Sequence, residues 1–114
     1  GNPAGFVVKI KNGPTIYDTG DTAYFSDMKL IREQYHPDVA LINIGGHFDM
    51  EPPMAVRAAE AIGAPLVIPH HYGTFAVLNQ NPRPFAKAVD RAGMKALVMK
   101  PDQTITFHGR KLAP

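Results

Sequence analysis

A chain of 114 residues with 45% apolar side chains can bury one core, and its formal charge of +2, with Lys and Arg scattered along the sequence, gives no sign of a nucleic-acid groove. The absence of cysteine excludes disulfides, thiolate-bound zinc and thiol catalysis, and suits a reducing, cytoplasmic setting. No apolar run approaches the roughly 20 residues of a membrane-spanning helix, and the opening residues lack the charged and apolar regions of a secretory signal.

The elements read in the order ββαβαβαββ. Phe6 to Ile10 is apolar and β-branched, and Asn12-Gly13 separates it from Thr15-Ile16-Tyr17, which predicts a hairpin. Ser26 is a candidate N-cap for a helix that runs to about Tyr35 and stops before His36-Pro37, with Phe25 and Leu30 at staple spacing. The nearly continuous apolar run from Val39 to Ile44 predicts a central, parallel strand buried on both faces. Pro52-Pro53 opens a second helix with an apolar stripe at Met54, Ala55, Ala58, Ala59 and Ile62 and a stop at Gly63. Leu66-Val67-Ile68 predicts another buried strand, ended by Pro69. Asn81-Pro82 starts a third helix lined by Phe85, Ala86, Val89 and Ala92, and Gly93 ends it. Two closing strands follow, at Lys95 to Lys100 and Thr104 to Phe107, around a Pro101-Asp102 turn. The chain reads as a single unit, an α/β fold without repeats or linkers.

Three strand exits carry residues that bind metals or move protons. Tyr17-Asp18-Thr19-Gly20-Asp21-Thr22 ends the second strand in carboxylates, Gly45-Gly46-His47-Phe48-Asp49-Met50 follows the third, and Ile68-Pro69-His70-His71-Tyr72-Gly73 follows the fourth. Open α/β sheets place their chemistry at such exits. Carboxylate oxygen with imidazole nitrogen suits zinc, manganese or iron. Asp21 and His71 are the candidate metal ligands, against the plain alternatives of a turn-capping Asp and a hydrogen-bonded His. His47 and His70 are candidates for contact with substrate, or for ordinary loop roles. Neighbours in extended chain point in opposite directions, so His70 and His71 do not both face one ion. Asp18 either orients a ligand or shapes a turn, and Asp49 either orients His47 or caps the next helix. His36 reads as structural, and His108 has no evident partner. Other schemes lack their parts: there is no Gly-x-Ser-x-Gly elbow and no Gly-rich nucleotide loop, and Glu33, Glu51 and Glu60 sit in helical sequence rather than as a catalytic pair.

The segments 20–31, 44–50 and 68–75 resemble, in order and spacing, the C-terminal half of the metallo-β-lactamase superfamily, in its branch of small metal-dependent hydrolases of the ascorbate-phosphate lactonase type. The resemblance implies an αββα sandwich of two similar halves, of which this chain is the second, with a mixed sheet and helices on one face. It implies a site of two zinc or manganese ions that share a hydroxide, with Asp21 as the bridging carboxylate and His71 as the last His ligand. The implied activity is hydrolysis of an ester, lactone or phosphoester in a small-molecule substrate.

The family's His-x-His-x-Asp-His motif is absent from these residues, and the chain starts at Gly1 rather than Met, so a truncated, processed or tagged product is expected. Two ligands fall short of the three that a catalytic zinc usually takes from protein, so the isolated chain is expected to be inactive. A half-sandwich is also expected to leave the sheet face opposite the helices bare. Its partner would be the N-terminal half of the same fold or a second copy of this chain, and a lone monomer is not expected. Two other readings are a self-associating module without catalysis and a small α/β domain that binds an anion at its loop ends.

Overall fold

The computed structural model describes residues 5–20, 25–43, 52–70, 83–100 and 102–114. The elements are β1 (Phe6–Lys9), β2 (Thr15–Asp18), α1 (Phe25–Tyr35), β3 (Val39–Asn43), α2 (Pro52–Ile62), β4 (Leu66–His70), α3 (Arg83–Arg91), β5 (Lys95–Ala96), β6 (Phe107–His108) and β7 (Lys111–Leu112). Strands β1 to β5 form one sheet in sequential order, and β6 and β7 form a separate hairpin. β1 pairs antiparallel with β2, and the pairs from β2 to β5 are parallel, so the sheet is mixed. Parallel neighbours joined through helices cross over right-handed. Because the order never reverses, α1, α2 and α3 lie on one face.

Local chemistry accounts for the boundaries. The β1–β2 hairpin closes where the Gly13 N–H donates to the Ile10 carbonyl at 2.9 Å, and Asn12 takes the left-handed turn conformation with φ 59°. α1 ends at His36, also left-handed at φ 46°, whose N–H donates to the Arg32 carbonyl at 3.0 Å before Pro37 forbids another turn. α2 ends at Gly63 with φ 69°, where a Cβ would meet the Arg32 side chain at 2.7 Å. Glycine there serves both the backbone and the packing of α1 on α2.

Three boundaries differ from expectation. α1 begins at Phe25, so Ser26 lies inside the first turn rather than at the cap. β4 continues through Pro69 to His70. Proline is tolerated because β5 pairs only with Leu66 and Val67, so at Pro69 that side of β4 has no ladder bond to lose. The two expected closing strands become three short ones: β5 stops at Ala96, and the rest of the segment folds over as the β6–β7 hairpin. Asn81, Pro82 and Pro101 lie outside the described residues.

The core divides by the two-residue period of the strands. On the helix face Tyr17, Ala40, Ile42 and Val67 are buried with Met28, Ile62, Phe85, Val89 and the α2 alanines. On the opposite face Val39, Leu66 and Ile68 are buried against Leu97, Met99, Ile105, Phe107 and Leu112. The expectation of a bare face is therefore corrected. The chain's own C-terminal segment covers β3 and β4, because Lys95 to Leu112 supplies apolar residues that a two-strand extension of the sheet would have left outside. Among the described residues the large apolar side chains left exposed are Phe6, Val8 and Ile10 along the β1 side, at 56%, 42% and 45%, and Leu30 on α1.

Tyr17 carries a pH consequence. Its phenol pKa is raised above 10.0 by burial first, then by the charges of Asp27 and Asp18. Once the pH passes the unfolded-state value, the unfolded chain has lost a proton that the folded chain keeps, so stability declines with rising pH. The thermal midpoint of wild type is expected to fall from about pH 9 to about pH 12, and Tyr17→Phe should flatten part of that slope. Parallel slopes in the two proteins would contradict the assignment.

Candidate metal site at the sheet edge

β2, β3 and β4 are parallel neighbours, so their C-terminal ends share one sheet edge. Asp18 pairs in register with Leu41, Leu41 with Ile68, and Asn43 with His70. The chain leaves β2 through Thr19-Gly20 into Asp21, leaves β3 toward His47, and leaves β4 from His70 into His71. Adjacent strands stand about 4.8 Å apart, so β2 and β4 are separated by about 10 Å at this edge.

Asp21, His47, His71 and Asp49 lie outside the described residues, and His70 is described as the last backbone position of β4. The structure sets the C-terminal ends of β2, β3 and β4 along one edge, and of the four candidates His70 alone lies on a described element. His36, which follows α1 at the other end of the strands, and His108 on the hairpin stand apart from that edge. Among the described residues no group of three or more His, Asp or Glu forms a metal cluster. The cavities lined by described residues include one of about 380 Å³ at Arg83, Pro84, Lys87 and Arg91 on α3. One of about 560 Å³ runs between α1 and α2 beside Arg32, Glu33 and Arg57. Another of about 730 Å³ lies near Asp38, Pro65 and Lys95, where β3, β4 and β5 begin.

The turn that enters Asp21 is built in detail. Thr19 is fully buried, and its N–H donates to the Leu41 carbonyl at 3.0 Å, which carries the β2–β3 ladder one residue past β2. The Thr19 hydroxyl donates to the Gly20 carbonyl at 3.1 Å, and the Gly20 N–H donates to Asp18 Oδ1 at 2.8 Å. Gly20 has φ 63°. Asp18 therefore takes the turn-shaping role. Gly5 escaped the reading of the sequence: a Cβ there would lie 2.6 Å from the Asp18 carbonyl oxygen, so β1 begins with a close approach of two backbones. The signal was a glycine just ahead of an apolar run, a pattern shared by many ordinary turns.

The donor types fit a divalent metal of the zinc or manganese kind, since hard carboxylate and borderline imidazole are offered together. Fold and edge define a class: an α/β protein whose sequence places metal-ligand residue types just past the ends of its parallel strands.

Comparison with known proteins makes this specific. A sequence model described as the β-lactamase superfamily domain matches residues 1–72. A protein of Methanospirillum hungatei named a UPF0173 metal-dependent hydrolase is 52% identical over 102 residues, which cover 89% of this chain and 46% of the relative. One of the same name from Methanoculleus marisnigri is 46% identical over 106 residues, covering 92% of this chain and 47% of the relative. The solved structure of a metallo hydrolase from the archaeon Ignicoccus hospitalis superposes with a TM-score of 0.76 at 41% identity, covering 81% of this chain and 40% of that one. The chain belongs to the metallo-β-lactamase superfamily, is similar to members named metal-dependent hydrolases, and has the fold of the C-terminal half of the sandwich. It spans a little under half the length of the curated relatives it matches. No helix among the described residues is long and apolar enough to cross a membrane.

Proposed function

We propose that this chain supplies part of a dinuclear metal site that hydrolyses ester, lactone or phosphoester bonds in small molecules of the cytoplasm. The observation that supports this most is the shared edge: the strands leading to Asp21 and to His70-His71 end at the same edge of the sheet with β3 between them. Asp21, as a bridging carboxylate, and His71 would hold the ions, with zinc or manganese as the fitting metals. When bound, such ions lower the pKa of water toward neutrality and so provide a nucleophile. His47 and His70 are the residues of this chain suited to donate a proton or hydrogen bond to the departing oxygen.

Two ligands do not complete a catalytic centre, so the remaining ligands come from the N-terminal half of the fold. The isolated chain then binds metal weakly and turns over little. The open stripe of Phe6 and Val8 on β1 and Ile10 just after it is the surface that fits this partner. The same stripe also favours a second reading, a self-associating module without catalysis. Asp21→Ala separates the two. In the completed domain, elemental analysis should show reduced zinc content together with lost hydrolysis of a simple ester. Full metal content in the variant contradicts the bridging role, and unchanged self-association with no activity in wild type favours the module.

A further inference from the structure

We infer that the cavity of about 730 Å³ beside the β6–β7 hairpin binds a small amphipathic carboxylate, an apolar tail with one anionic head. Its volume lies within the range of about 300–1,000 Å³ common to small-molecule sites. Its wall is apolar. Leu66 at the start of β4 and Phe107 and Leu112 of the hairpin line it, and the three belong to one packed cluster. Its rim is cationic. Lys95, Arg110 and Lys111 stand there against one acidic side chain, Asp38. That carboxylate is already engaged, since Asp38 Oδ2 accepts the Arg110 Nε–H at 2.9 Å and the Thr15 N–H at 2.8 Å. Arg110 and Asp38 thus neutralise one another. Lys95 and Lys111 remain, both exposed and without an ion pair among the described residues. With the terminal carboxylate of Pro114 counted, the lining keeps a surplus of positive charge. The nearby backbone donors are spent: the Lys95 N–H on the Pro65 carbonyl at 2.8 Å, the Leu66 N–H on the Asp38 carbonyl at 3.3 Å and the Ala113 N–H on the Thr106 carbonyl at 2.8 Å. Recognition therefore falls to side chains, ammonium groups for the head and the apolar wall for the tail. Two other cavities lined by described residues lack this pairing. The one between α1 and α2 sets Glu33 and Glu60 among its cations, and the one on α3 has Pro84 as its one apolar side chain. β3 and β4 are each five residues long, so a site at their starts stands about 13 Å from the candidate metal edge at their ends and owes nothing to the ligand residues there.

The test is a titration of the isotopically labelled 114-residue chain with octanoate, below the concentration at which the probe forms micelles, followed by amide NMR. Saturable shifts are expected at Leu66, Lys95, Lys111 and Leu112. Hexanoate, shorter by two methylenes, should bind about tenfold more weakly. Octan-1-ol keeps the tail without the charge and should bind about fivefold more weakly than octanoate. Lys95→Gln combined with Lys111→Gln should lower octanoate affinity about fivefold and leave octan-1-ol unchanged. Both lysines are exposed, so this variant should fold, and the alcohol reads the contribution of charge without any substitution. Octanoate shifts confined to Phe6, Val8 and Ile10 would mean adsorption on the open β1 stripe and would overturn the site. Equal affinity for acid and alcohol, an undiminished double variant, or no binding at all would overturn it too. In the domain completed by its N-terminal half the same amides should respond to octanoate. Silence there would mean that the other half fills the cavity, and the site would be struck out.

Discussion

Phe85→Ala is expected to remove about 3–5 kcal/mol of stability, toward the upper end of that range. Phe85 is 1% exposed and is the largest fully buried side chain among the described residues. It belongs to the helix-face core, where α2 contributes mainly alanines at 55, 58 and 59. Alanines cannot swing into a vacated space, and the sheet beneath them is tied by its ladders, so most of the cavity would persist. Domains of this size have a total stability of about 5–15 kcal/mol, so the variant is expected to sit near its unfolding threshold. Urea unfolding followed by far-UV circular dichroism measures the loss, and Phe85→Leu should recover more than half of it. A cost below about 1 kcal/mol would mean that the site collapses freely and that α3 is not packed as described.

Much of this architecture could be read from the residues. The run from Val39 to Asn43 is apolar at every position but the last, as a strand buried on both faces must be. The stripe at Ala55, Ala58, Ala59 and Ile62 has helical period and is fully buried. The C-terminal segment was less legible because its elements are two residues long and its apolar positions serve a sheet face rather than a sheet ladder. Leu97, Met99, Ile105 and Phe107 alternate like strand residues, and alternation alone does not say whether they extend a sheet or lie across it. Pro69 misled for a related reason. Proline ends a strand only where its missing N–H would have been used, and that depends on how far the neighbouring strand extends.

The candidate site was legible as residue types, and the structure adds the topology of the strands that precede them, while Asp21, His47 and His71 lie outside the described residues. Asp and His at the ends of apolar runs pointed to metal, and the parallel register placed those runs at one edge. The two roles left open for Asp18 could not be separated in the sequence, since both call for a short carboxylate near a glycine. The bond to the Gly20 amide shows the turn-shaping role. Gly5 was invisible because its constraint comes from a residue thirteen positions away in the chain.

Asp38→Ala should cost about 2–4 kcal/mol, whereas Arg110→Ala should cost less than about 1 kcal/mol, although the two side chains form one ion pair. The asymmetry follows from what each leaves behind. Asp38 Oδ2 accepts the Arg110 Nε–H at 2.9 Å and also the Thr15 backbone N–H at 2.8 Å. The Arg110 side chain is 57% exposed, so solvent screens the pair and rehydrates whichever group loses its partner. Thr15 is 6% exposed at the start of β2, and its amide has no comparable access to water. Alanine at position 38 therefore strands a buried donor where β2, β3 and the β6–β7 hairpin meet. It also removes the Asp38 part of the hairpin's hold through Arg110, leaving the longer Arg110 bond to the His36 carbonyl at 3.3 Å. With that hold weakened, Phe107 and Leu112 should lift more often from Val39, Leu66 and Ile68, and the C-terminal segment should become a preferred site of limited proteolysis. Asp38→Asn keeps an acceptor for Thr15 and should fall between the two alanine variants. Equal losses for Asp38→Ala and Arg110→Ala would show that the ion pair, rather than the buried amide, holds this corner of the fold.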